Sequence, residues 1–241
     1  MNTKEIKGII FDYGGTLDTN ARHWAHVIWE GYMAAEIPVS NELFREAYVY
    51  AERALAKAPI VLATDNFATL MQKKLEVETQ HLVEMGAWQP KSVQERRDKS
   101  DKAARYCDEY ARRNVKESKA TLEWLAGKYP MVLVSNFYGN IGTILADYGL
   151  KEFFPTVIES AVVGVRKPDP AIYQMGVDAL GLNAENVLVV GDSYEKDIVP
   201  AKKIGCKGVW MKGEGWDSGT VYDEQLPDAI ITELQTLKTF L

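Results

Sequence analysis

Residues 6–19 constrain this chain more than any other stretch. An apolar run, Ile6-Lys7-Gly8-Ile9-Ile10-Phe11, is cut off at once by Asp12-Tyr13-Gly14-Gly15-Thr16-Leu17-Asp18-Thr19. A short apolar run that meets a carboxylate and two glycines predicts a buried strand ending in a tight loop. Ligands of open α/β sheets bind just beyond the carboxyl ends of the strands, so Asp12 stands where a substrate would meet it. An ordinary strand-to-turn junction uses the same residue types, because Asp and Gly are common turn formers. The later stretches decide between the two.

Residues 20–115 carry no strand pattern. Trp24, Val27, Ile28, Tyr32 and Ala35 recur at helical spacing between His23 and Glu36, and Pro38 with Ser40 ends one helix and starts another. Further helices are predicted over Asn41 to Lys57, about Asp65 to Met85 and about Ser92 to Asn114. An all-helical insert placed directly after the first strand would sit over the carboxyl edge of the sheet, where it can act as a lid. A packed helical domain without that role would have the same composition; the position of the insert argues for the lid.

Beyond residue 115 helices and strands alternate. A helix over Lys116 to Lys128 precedes the strand Met131-Val132-Leu133-Val134-Ser135-Asn136, and a helix over Ile141 to Tyr148 precedes Thr156-Val157-Ile158-Glu159-Ser160. Lys167-Pro168-Asp169-Pro170 leads into a helix over Ala171 to Leu180. The strand from Val187 ends in Gly191-Asp192-Ser193, with Asp197 close behind. A helix Val199 to Ile204, the strand Lys207 to Met211, a short strand Asp228 to Ile231 and a closing helix Glu233 to Leu241 complete the pattern. This alternation predicts an α/β protein with a doubly wound parallel sheet. The division expected is a core of residues 1–19 and 116–241 and a helical cap of residues 20–115.

Net charge is −6 and there is no long basic run, which argues against nucleic acid or an anionic membrane as the partner. The first residues, Met1-Asn2-Thr3-Lys4-Glu5, contain no apolar signal region, and no stretch approaches membrane-spanning length, so a cytoplasmic location is expected. Cys107 and Cys206 lack metal-type spacing and read as small buried hydrophobes. Trp24, Trp29, Tyr48, Tyr50 and Trp88 are candidates to line a pocket, though aromatics at helical spacing more often form core. Arg45, Arg53, Arg96 and Arg97 read as solvated helix faces.

Four stretches in order resemble the motifs of the haloacid dehalogenase-like hydrolase superfamily, and the resemblance covers nearly the whole chain. Asp12-Tyr13-Gly14-Gly15-Thr16-Leu17 resembles its D-x-D-G-T-L; Leu133-Val134-Ser135-Asn136 resembles its strand ending in Ser or Thr. Lys167-Pro168 resembles its basic residue before Pro, and Gly191-Asp192-Ser193-Tyr194-Glu195-Lys196-Asp197 its G-D-S-x-x-x-D. The helical insert resembles the family's cap, and Asp18-Thr19 followed by His23-Trp24 is similar to the start of that cap in members that handle sugar phosphates.

The resemblance implies a Rossmannoid core and phosphoryl transfer from a small phosphorylated metabolite, for which positioning and charge neutralisation supply most of the catalysis. Asp12 would form an aspartyl-phosphate. Mg²⁺ would be held by Asp12, Asp192 and the backbone carbonyl of Gly14. Gly15, Thr16, Ser135, Asn136 and Lys167 would bind or frame the phosphoryl oxygens, and Asp197 would orient Lys167 or metal waters.

One departure matters. The family's phosphatases carry a second Asp two residues after the nucleophile as acid and base, and here that residue is Gly14. General acid–base catalysis is typically worth ~10²–10⁴-fold, so good leaving groups should be favoured. His23 and Asp18 are the candidate replacements. Two other readings stand beside the phosphatase: a phospho-ligand-binding or regulatory protein with little turnover, and a haloacid dehalogenase, which needs neither the second Asp nor a metal.

Overall fold

The computed structural model describes residues 5–216 and 219–241. Residues 1–4, on which the reading of the N-terminus rests, lie outside it. In chain order the regular elements are β1 (Gly8–Phe11), α1 (Trp24–Ala34), α2 (Asn41–Lys57), α3 (Phe67–Glu84), α4 (Val93–Ala126), β2 (Met131–Ser135), α5 (Ile141–Asp147), β3 (Thr156–Glu159), α6 (Ser160–Val163), α7 (Ala171–Leu180), β4 (Val187–Gly191), α8 (Val199–Lys203), β5 (Lys207–Met211) and β6 (Ala229–Ile231).

The strands form a six-stranded sheet in the order β3-β2-β1-β4-β5-β6, every pair parallel. Side chains alternate between its faces. Ile9 and Phe11 join Leu133, Leu188 and Val190 on the face covered by α4 and α5, while Ile10 joins Val132, Val134 and Val189 under Ile172, Tyr173 and Val177 of α7. Both faces are buried, which is why these strands read as unbroken apolar runs. The strand order reverses between β1 and β4, and such a reversal opens a crevice at the carboxyl edge. Asp12 follows β1 directly and Asp192 follows β4 directly.

Helices α1 to α4 lie between β1 and β2 in the chain. The two helices expected on either side of residue 115 are one: α4 runs through 34 residues without a Gly or Pro to break it. At ~1.5 Å per residue it is roughly 50 Å long. Ala103, Ala104 and Cys107 of α4 are buried in the helical layer, and Leu122 and Leu125 reach the sheet; Ser118 donates to the Leu17 carbonyl at 2.8 Å. The C-terminal element is a 3-10 helix, Leu234–Thr239, rather than an α-helix, and a π turn, Tyr194–Ile198, precedes α8.

A second connection between helical layer and core was not anticipated. After β5 the chain turns back to the start of α1, where the His23 N–H donates to the Glu214 carbonyl at 2.8 Å and Arg22 Nε to its carboxylate at 2.8 Å. The Arg45 guanidinium lies 3.8 Å over the Trp216 ring. Gly213 permits the approach, since a Cβ there would stand 2.2 Å from the Ala21 carbonyl oxygen. On the other side Asn20 and Ala21 hold left-handed φ values of 54° and 67°, a strained entry to the cap.

Several surface expectations change. Arg96 is buried, donating to Glu76 at 2.6 Å and to Thr79 at 3.1 Å, whereas Arg53 and Arg97 are exposed. Tyr48 and Trp88 are buried; Tyr50 is exposed and stacked on His81 at 3.7 Å. Cys107 and Cys206 are free and buried, as read.

The helical layer encloses ionisable groups. Glu78 is fully buried; Tyr32 donates to one carboxylate oxygen at 3.0 Å and the other has no partner among the described residues. Burial pushes its carboxyl from the ordinary 4.5 up to about 7. The folded state therefore holds this proton more tightly than the unfolded chain, so the stability it contributes is fully present below pH 4.5 and is lost as pH rises through about 7. Glu78→Gln is expected to raise the melting temperature at pH 8, by an amount equivalent to at most ~3 kcal/mol, with the gain shrinking toward pH 4.5. Thermal melts of both proteins across that range check it; a gain independent of pH would contradict it.

Candidate active site

Four strand ends and loops deliver the site. Asp12 leaves β1, Ser135 closes β2, Asp192 leaves β4, and Lys167 comes from the loop before α7. Lys167 Nζ is buried and bridges two carboxylates, donating to Asp12 Oδ1 at 2.5 Å and to Asp197 Oδ1 at 2.8 Å. Thr16 Oγ1 donates to Asp12 Oδ2 at 2.9 Å and accepts from the Asp192 N–H at 3.0 Å, tying the first loop to the fourth.

Asp197 is held from three sides, by Lys167, by the Tyr173 hydroxyl at 2.7 Å and by the Ser193 N–H at 2.9 Å. The π turn carries it there: its backbone N–H and that of Ile198 both bond the Ser193 carbonyl, folding the side chain back under Gly191. Tyr173 gave no motif signal, because an aromatic one turn into a helix reads as core.

One carboxylate oxygen from each of Asp12, Asp192 and Asp197 lies within 4.8 Å of the other two. Burial pushes Asp12 upward against the pull of Lys167, and burial together with Asp12 and Asp197 pushes Asp192 well above the usual carboxylate range. Three carboxylates thus face one ammonium, an imbalance that a hard divalent cation among oxygen ligands would offset. Asp197 accepts three hydrogen bonds and Asp12 one on each oxygen, whereas the Asp192 carboxylate meets only Thr16 at 3.4 Å among the described residues, so Asp192 has the freest lone pairs and Asp12 the next.

Several residues expected at the phosphate have other bonds. The Gly15 N–H is given to Asp18 Oδ1 at 2.8 Å. Gly15 itself has φ 96°, and a Cβ on it would stand 2.3 Å from Asp192, so only glycine lets the loops close this tightly. Asn136 brackets the Lys167 backbone, accepting from its N–H at 2.9 Å and donating to its carbonyl at 3.1 Å. It sets the lysine in place with one of its two amide N–H donors, leaving the second. Thr16 spends its hydroxyl between Asp12 and Asp192, leaving Ser135, Lys167 and the second Asn136 N–H from the expected set.

Both candidates for the missing acid are also engaged. Asp18, fully buried, accepts from Gly15 and from Trp24 Nε1 at 3.0 Å, joining the first loop to α1. Burial pushes its carboxyl to about 8, a value that retains a proton near neutrality, but its oxygens are turned to those two donors. His23 caps α1, its Nδ1 accepting from the Ala25 N–H at 3.2 Å. Its ring packs against Trp216 and Tyr48, and burial with the nearby Lys196 and Lys74 lowers its pKa to about 4, so it is neutral at pH 7. Gly14 has open space around it: a Cβ there would meet nothing within 4 Å.

A family model of haloacid dehalogenase-like hydrolases matches residues 6–205, which hold all four of these strand ends and loops. The chain belongs to the haloacid dehalogenase-like hydrolases. It is 27% identical over 230 residues to a phosphoglycolate phosphatase of Pectobacterium atrosepticum, covering 94% of this chain and 88% of that one. In fold it is similar to the HAD-hydrolase YfnB from Bacillus subtilis bound to magnesium, with TM-score 0.62, 19% identity and coverage of 98% of both chains. It is also similar to a 2-haloacid dehalogenase from Pseudomonas syringae, with TM-score 0.52, 23% identity and coverage of 98% and 97%. Hydrolases of both chemistries share this fold, so the reaction has to be argued from the side chains.

Proposed function

We propose that this hydrolase is a Mg²⁺-dependent phosphatase or phosphotransferase of small phosphorylated metabolites. The observation that carries this reading is the charge imbalance: one oxygen each of Asp12, Asp192 and Asp197 within 4.8 Å, with Lys167, among the described residues, as the one ammonium bonded to this group. Attack on carbon with halide departure gains nothing from two further carboxylates beside the nucleophile. A phosphoryl group brings more negative charge still and needs a cation to enter. The phosphoglycolate phosphatase relative supports the same choice.

Asp12 attacks phosphorus; the bond to the leaving oxygen breaks, that oxygen takes a proton from solvent, and water then cleaves the aspartyl-phosphate. Lys167 and Thr16 hold the two Asp12 oxygens and fix the line of attack. Ser135, at the end of β2, donates to a phosphoryl oxygen. Asp12, Asp192 and the Gly14 carbonyl would hold Mg²⁺, which would supply positive charge against the transferring oxygens. Asp197 keeps Lys167 charged and oriented.

The test is phosphate release from p-nitrophenyl phosphate and acetyl phosphate. Turnover is expected with Mg²⁺, to stop with EDTA and to return when Mg²⁺ is restored. EDTA-insensitive halide release from a 2-haloacid would instead establish the dehalogenase. The open space at Gly14 also favours a second reading, a phospho-ligand-binding protein with little turnover. That reading requires Mg²⁺-dependent binding without continuous phosphate release.

A further inference from the structure

The helical layer carries an ion pair, one partner buried and the other half-buried, that the chemistry above does not use. Lys74 of α3 is almost fully buried and is paired with Glu52 of α2, whose second oxygen accepts from the Tyr138 hydroxyl at 3.0 Å. Tyr138 lies three residues beyond Ser135, in the loop leaving the carboxyl end of β2. The pair therefore reaches the seam between helical layer and core on the side of the site. On the other side the Tyr48 ring beside Lys74 packs on His23, with centroids 6.0 Å apart, so the pair also reaches the start of α1.

Enclosing the Lys74 charge is costly, and an apolar side chain of similar volume often serves stability as well or better. Such a pair, bonded to the loop that leaves Ser135, points to recognition. Lys74 has three N–H donors. Glu52 takes one, and the Tyr48 ring lies 4.2 Å from the ammonium. No further protein acceptor for it occurs among the described residues. Glu52 cancels its charge, and Glu78 stands close by on the same helix.

We propose that Lys74, Glu52 and Tyr138 receive the non-phosphate end of the substrate and select a neutral, hydroxylated carbon chain over a carboxylated one. This rests on the phosphatase reading. A substrate hydroxyl accepts from Lys74 and donates to Glu52 in one geometry. A carboxylate placed there meets a lysine whose charge is already cancelled and a glutamate that repels it. The preference expected thus differs from what the name of the phosphoglycolate phosphatase relative suggests.

The experiment is calorimetric titration, in Mg²⁺, of Asp12→Asn protein with glycerol 3-phosphate and with 2-phosphoglycolate, alongside kcat/KM for both on the native chain. Glycerol 3-phosphate should bind at least ~10-fold more tightly, and adding Glu52→Gln should shrink that ratio ~10-fold or more by freeing the lysine charge for a carboxylate. Lys74→Met should weaken glycerol 3-phosphate more than 2-phosphoglycolate, with circular dichroism to show a folded chain. If Lys74→Met does not fold, Glu52→Gln, which keeps the shape of the side chain, decides. Tighter or equal binding of 2-phosphoglycolate, a ratio unmoved by Glu52→Gln, or binding of neither ester overturns the proposal. Failure of the phosphatase reading is seen separately, as absent p-nitrophenyl phosphate turnover by the native chain.

Discussion

Asp12→Asn is expected to lower phosphate release by roughly 10³-fold or more while leaving the fold intact. The amide keeps the shape of the carboxylate but cannot attack phosphorus, so no covalent intermediate forms. Stability should not fall with it. Burial already works against the charge on Asp12, and the neutral side chain removes that cost. Lys167 keeps Asp197 as its partner at 2.8 Å, and Thr16 can still donate to the amide oxygen. Steady-state phosphate release and a thermal melt of the same preparation check both halves. Residual turnover above about a tenth of the native rate would mean that Asp12 is not the nucleophile; a collapsed melt would mean that the carboxylate is structural.

Gly14→Asp is expected to act in the opposite direction, raising kcat/KM for alkyl phosphates by ~10²–10⁴-fold, the range over which a positioned general acid acts. The substitution is sterically free, because a Cβ at Gly14 meets nothing within 4 Å. That same space shows that no neighbouring side chain has moved in to occupy the position of an acid. Asp18 gives its oxygens to Gly15 and Trp24, and His23 gives Nδ1 to the first turn of α1. For p-nitrophenyl phosphate, whose leaving group departs as a stable anion, the gain should be small. An alkyl ester hydrolysed no faster by Gly14→Asp than by the native chain would show that a proton donor is already in place, and would return attention to Asp18, which burial keeps protonated near neutrality.

How much of this was legible in the residues differs between core and site. Each strand of the core is buried on both faces, so its apolar run and the break after it are local signals. β1, β2, β4 and β5, with α2 and α7, lie where the pattern placed them. The expected break near residue 115 was not there, because nothing in the α4 sequence stops a helix. Arg96 read as solvated because burial of a charge depends on partners, here Glu76 and Thr79, that lie some twenty positions away in the chain.

The order of four motifs determined, from the sequence alone, the fold class and the residues brought to one sheet edge. The reason is that strand ends of a parallel sheet necessarily gather on one side. Tertiary structure alone decided how the hydrogen-bonding capacity of those residues is spent. Gly15 gives its N–H to Asp18, Asn136 clasps the lysine backbone, Thr16 links two carboxylate loops and Tyr173 steadies Asp197. It likewise decided that Glu52 and Lys74, on separate helices, would pair and that Glu52 would meet Tyr138 at the seam. A donor or acceptor has only a few bonds to make, and which partner takes each one is settled by three-dimensional proximity, which sequence spacing does not encode.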